Sequence, residues 1–131
     1  MPDLAAAPIR IARPSRNLSA AEKFWVDGVG MQVLYRADGA QTQGGHALLM
    51  LGLPGAGWHL ELVATLLAPT PTAEDLLVIY LGVPVEAALS DRILDCGGSR
   101  VAALNPYWDE WGFTFLDPDG YRLVLSHRTW G

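Results

Sequence analysis

Residues 57–62 read GWHLEL and residues 120–125 read GYRLVL. Both run glycine, aromatic, basic, leucine, a variable position, leucine. A pattern written twice in 131 residues marks a duplicated unit, and a duplication restricts the fold more than any bulk property does. Sliding the chain by 63 places Gly57, Leu60 and Leu62 on Gly120, Leu123 and Leu125. Sliding it by 67 places Ala20 and Ala21 on Ala87 and Ala88, and Gly30 on Gly97. The difference of four is one shorter loop in the second half.

Local patterns fill in the unit. IRIARP, residues 9–14, alternates and stops at a proline, which reads as a strand. Asn17 or Ser19 caps a helix in which Ala20, Ala21, Phe24 and Trp25 fall at helical spacing and Gly28 and Gly30 close the end. Strands follow over 31–37, 46–53 and 58–66. Residues 67–75, LAPTPTAED, lack periodicity and read as a linker. The second half repeats the order: a strand at 76–82, a helix opening at Pro84, then strands at 99–104, 112–117 and 121–127. NPYWDEW, residues 105–111, reads as a loop, and DPDG as a tight turn. The expected fold is therefore α+β: two tandem βαβββ modules, each a concave mixed sheet with a helix on its outer face. Module one spans 9–66 and module two 76–131, together one domain, with residues 1–8 a flexible tail.

Bulk properties exclude some functions. A net charge of −5 and a pI of about 4.9 argue against nucleic acid, which needs clustered Lys and Arg. No apolar run reaches the roughly 18 residues of a membrane helix, and the first ten residues are too weakly apolar for a signal peptide, so the expected location is cytoplasmic. Cys96 is the only cysteine, so no internal disulfide forms. No Gly-rich phosphate loop or Ser/His/Asp motif is present.

The arrangement is similar to the vicinal oxygen chelate superfamily, which includes glyoxalase I, extradiol dioxygenases, and fosfomycin- and bleomycin-resistance proteins. RIARPSRNLSAAEKFW, HLEL, LLVIYLGVPVEAA and WGFTFLDPDGYRLVL carry the likeness, and the DPDG turn is its most specific piece. NPYW before WG resembles a group of bacterial members without a known activity. In the family's metalloenzymes, side chains from the first and last strand of each half bind the metal. Carried over, those positions fall on Arg10, Glu61, Leu77 and Val124. Only Glu61 offers a metal donor: Arg stays protonated, and Leu and Val have no donor atom. One carboxylate makes no stable site. The change from Glu61 to Val124 in the opening pair is thus the loss of a ligand, and the expectation is no metal and no cofactor.

Alternation places His59, Glu61 and Val63 on one strand face and Leu60 and Leu62 on the other. Arg10 is expected to face Glu61 as an ion pair, either structural or part of a pocket. Leu77 and Val124 are expected to form an apolar opposite wall. Tyr107, Trp108 and Trp111 are expected to form a lid or pocket wall, or a dimer contact. The resemblance implies a metal-free protein that binds a small organic ligand through Arg10, His59, Glu61, Leu77, Tyr107, Trp108, Trp111 and Val124, as a homodimer and without catalysis. The alternative is a lyase, isomerase or dioxygenase-type enzyme with Glu61 as general base and Arg10 as electrostatic partner. A third reading is a module that contacts proteins through the aromatic stretch.

Overall fold

The computed structural model describes residues 1–131, and the repeat appears in it as two four-stranded sheets. The first contains β1 (Ile9–Pro14), β2 (Gln32–Ala37), β3 (Leu48–Gly52) and β4 (Trp58–Val63), in the order β1-β4-β3-β2. The second contains β5 (Leu76–Tyr80), β6 (Ser99–Val101), β7 (Gly112–Leu116) and β8 (Arg122–Ser126), in the order β5-β8-β7-β6. Each first strand runs parallel to the last strand of its module, and the other neighbours are antiparallel. Both sheets are mixed, and the βαβββ unit occurs twice.

Helix α1 (Leu18–Glu22) starts where Asn17 accepts a hydrogen bond from the Ala20 amide at 3.0 Å, so Asn17, not Ser19, is the cap. The helix then widens into a π-helical segment, Lys23–Gly28, which still buries Phe24 and Trp25. Helix α2 (Ala87–Asp95) begins three residues later than Pro84 and ends at Gly97, whose φ of +95° suits glycine. NPYWDEW differs from its reading as a loop. Asn105 caps a short helix, α3 (Pro106–Glu110), by accepting from the Tyr107 amide at 3.0 Å, and Pro106 takes the first turn, where its missing N–H costs nothing. Its counterpart in module one, offset by 67, is a single 3₁₀ turn at Gly39–Gln41.

One core serves both modules. Phe24, Trp25, Leu49, Leu51, Leu60 and Leu62 join Ile93, Phe115, Leu123 and Leu125 in a single buried cluster. The modules meet helix to helix: a Cβ on Gly28 would lie 3.2 Å from that of Cys96, and one on Gly98 would lie 2.8 Å from the Phe24 ring. The DPDG turn clasps module one. Asp117 accepts from the Trp25 indole at 3.3 Å as well as from the Asp119 and Tyr121 amides, each at 2.9 Å, and Asp119 accepts from the Arg16 amide at 2.8 Å. Burial pushes the Asp117 carboxyl above its ordinary value, and the Asp119 charge adds to that.

Candidate functional site

Partners across a parallel or antiparallel ladder share a face. Arg10 pairs with His59 and Ala12 with Glu61, so the alternation of β1 and β4 sends Arg10, His59 and Glu61 to the face away from the helix. Leu60 and Leu62 point the other way and are 0% and 1% exposed. On the open face Arg10 Nη1 lies 3.3 Å from Glu61 Oε2, and Arg10 Nε donates to His59 Nε2 at 3.0 Å. His59 therefore presents its lone pair to Arg10, and its proton sits on Nδ1. The Arg10 side chain is 51% exposed and that of Glu61 18%, so the pair stands at the surface of a partly enclosed face. Met50 and Tyr35 extend this face, since Glu61 pairs with Met50 and Met50 with Tyr35. Met50 and Tyr35 were not among the expected residues. The period-2 pattern of HALLMLGL held the signal for Met50, on the face opposite Leu49 and Leu51.

Two expected residues sit elsewhere. Leu77 pairs with Leu123 on the core side, and it packs against the shared core. Leu76, paired with Arg122, is the true counterpart of Arg10, because Arg122 is the counterpart of His59. The helices align at an offset of 67 but the first strands at 66, and a one-residue slip moves a side chain through the sheet. Val124 does point to the second sheet's outer face, with Thr114 beside it, but Val124 and Thr114 are 0% exposed and Ser126 1%. Trp108 reaches Tyr80, which pairs with Ser126, and the burial of Val124, Thr114 and Ser126 means that this face is covered within the chain. Val124 is buried and forms no open wall.

The aromatic stretch is placed on module two. The Tyr107 and Trp108 rings lie 5.1 Å apart, Trp108 and Tyr80 6.4 Å, and Tyr80 and Trp130 6.1 Å. Trp111 carries the Arg128 guanidinium 4.8 Å above its ring. None of these contacts reaches the Arg10–Glu61 pair. Tyr80 and Trp130 join the row without any signal in the sequence, because they meet only through tertiary packing.

The donor set does not fit a metal. Glu61 is the one ligand-type side chain at the four positions, and a guanidinium already holds its carboxylate. No group of three His, Cys, Asp or Glu side chains stands in a metal-binding arrangement. What the open face offers instead is hydrogen bonding: the Nδ1 proton of His59, the Arg10 guanidinium and the Glu61 carboxylate, beside Met50 and Tyr35. No helix is long and apolar enough to cross a membrane.

Comparison with known proteins agrees with this architecture. The YycE-like N-terminal domain family matches residues 9–63, and the YycE-like C-terminal domain family matches residues 74–127. The chain is similar to the uncharacterized protein YycE of Bacillus subtilis, with 38% identity over 126 residues, 93% of this chain and 88% of that protein. It superimposes on a crystal structure of a YycE protein from Bacillus subtilis with a TM-score of 0.79 and 34% identity, covering 96% of this chain and 92% of the other. It also shares its fold with TnmS3, an antibiotic binding protein from Streptomyces sp. CB03234, with a TM-score of 0.61, 22% identity, and coverage of 92% and 93%. With both halves matched in order and a duplicated mixed sheet in the structure, the chain belongs to the YycE-like family of the vicinal oxygen chelate superfamily.

Proposed function

We propose that this protein binds a small organic molecule on the open face of the first sheet without a metal. The observation that carries the reading is the Arg10 guanidinium joined to both Glu61 and His59 where the family's metalloenzymes place ligands. The pair is charge-balanced, so the face suits a ligand that offers both a hydrogen-bond donor and an acceptor, with an apolar body against Met50 and Tyr35. The likeness to an antibiotic binding protein supports a binding role. The working form is a homodimer. The Arg10 side chain is still half exposed within one chain, and a second copy supplies the wall that encloses Arg10 and Glu61.

The second reading is an enzyme in which Glu61 takes a proton and Arg10 steadies the resulting oxyanion, favoured by the placing of the Arg10 cation within reach of both the Glu61 carboxylate and the His59 imidazole. Native mass spectrometry of protein purified under mild conditions tests for a co-purifying ligand. Glu61→Gln then separates the readings. A binder keeps its affinity within about tenfold, the cost of roughly one hydrogen bond. An enzyme using this base keeps affinity and loses turnover by at least about 100-fold. Absence of any ligand shift in both native mass spectra and a metabolite screen would remove the binding role.

A further inference from the structure

The strand that carries Arg10 also lines a second cavity. Alternation sends Ile9 and Ile11 to the side of β1 opposite Arg10, and there they border a cleft of about 390 Å³ between the two modules. Trp58 continues this wall, and the edge of β5 from Leu77 to Tyr80 forms the other, with the side chains of Leu77 and Ile79 on the cleft side. All seven lining residues are apolar or aromatic. The volume lies at the lower end of the range that encloses a drug-sized ligand, about 300–1,000 Å³. Tyr80 also ties the cleft to the exposed aromatic row, with Trp130 at 6.1 Å and Trp108 at 6.4 Å. Trp130 is 85% exposed, which leaves a large aromatic surface at the rim in water.

We infer that this inter-module cleft is a binding site for a neutral, largely apolar small molecule, separate from the Arg10–Glu61 face. The commitment to a neutral guest follows from the lining. A charged group placed there would lose its hydration and find no counter-charge on any wall. An apolar guest gains from removing Ile9 and Trp58 from water, and the Trp58 ring favours a guest with a flat face. The site depends on neither the metal question nor catalysis. It also accounts for Leu77, which the family pattern would place in the other pocket.

N-phenyl-1-naphthylamine, uncharged at pH 7, is the probe. Titrated into the full chain, it gives saturable binding of one molecule per chain, with quenching of tryptophan fluorescence. Ile9→Trp fills the mouth of the cleft from a residue that is 57% exposed, so the fold tolerates it, and it weakens probe binding at least tenfold. Trp58→Ala, which removes the ring from the wall, weakens it severalfold. Glu61→Gln leaves it within twofold. The inference is overturned if wild-type protein shows no saturable binding, or if either Ile9→Trp or Trp58→Ala binds as wild type. Loss of probe binding in Glu61→Gln also overturns it, because the guest then sits on the Arg10 face. Sedimentation velocity covers the remaining case: a wild-type dimer that Ile9→Trp splits assigns the cleft to a second copy and removes the small-molecule site.

Discussion

Arg10 divides one guanidinium between two neighbours, giving Nε to His59 and Nη1 to Glu61. Because the arginine is half exposed, solvent screens most of the attraction. Glu61→Gln is expected to change unfolding free energy by less than about 1 kcal/mol in urea titration. A larger loss would make the pair structural. Asp117 behaves differently, for it is buried and accepts three hydrogen bonds, one of them from Trp25 in the other module. Asp117→Ala leaves those donors unpaired and is expected to cost about 3 kcal/mol. Its pH dependence has a definite sign. The folded carboxyl titrates above its unfolded value, so its stabilising effect is complete below the unfolded pKa and is lost as pH rises through the folded one. Wild type should therefore gain stability relative to Asp117→Asn on going from pH 7 toward pH 4, measured by urea unfolding at each pH. The facing of Arg10 and Glu61 was legible through the family resemblance, which puts both at cavity-facing positions of neighbouring strands. Leu77 was misplaced because one inserted residue between strand and helix leaves the hydrophobic pattern intact while reversing the face.

Helix α3 buries none of its own residues. An element with so little buried surface opens at low cost. Hydrogen exchange should find the amides of 106–110 protected far less than those of β8, and equal protection would make α3 part of the rigid core. The two main helices behave in the opposite way. Gly98 lies where a Cβ would meet the Phe24 ring at 2.8 Å and the Ile93 side chain and carbonyl at 2.9 Å. Gly98→Ala should overpack the helix junction and lower stability by about 1–3 kcal/mol, read from the shift in urea midpoint. In sequence the glycine looked only like a helix terminator. The helical character of NPYWDE was written in its Asn-Pro start, but a run of five residues is too short for periodicity to declare itself.

At the scale of the whole molecule, Phe24, Trp25 and the leucines of the first sheet share one cluster with Ile93, Phe115, Leu123 and Leu125. Neither module closes a core alone. The full chain should unfold in a single calorimetric transition with equal van't Hoff and calorimetric enthalpies. A fragment ending at residue 70 should show no cooperative transition and no near-ultraviolet signal from Trp25. Two resolved transitions, or a folded fragment, would mean independent modules.

The duplication, the strand and helix order of each module, and the alternation that puts His59 with Glu61 were all written in the sequence. These follow from local periodicity and from side-chain chemistry, which need no neighbours. Packing, by contrast, set how the modules meet, helix to helix, and buried Val124 and Thr114 on the outer face of the second sheet. It also decided that Ile9 and Tyr80, distant in the chain, border one cleft. Such outcomes depend on which apolar faces find each other, and residues that meet only across a shared core leave no periodic trace in the chain.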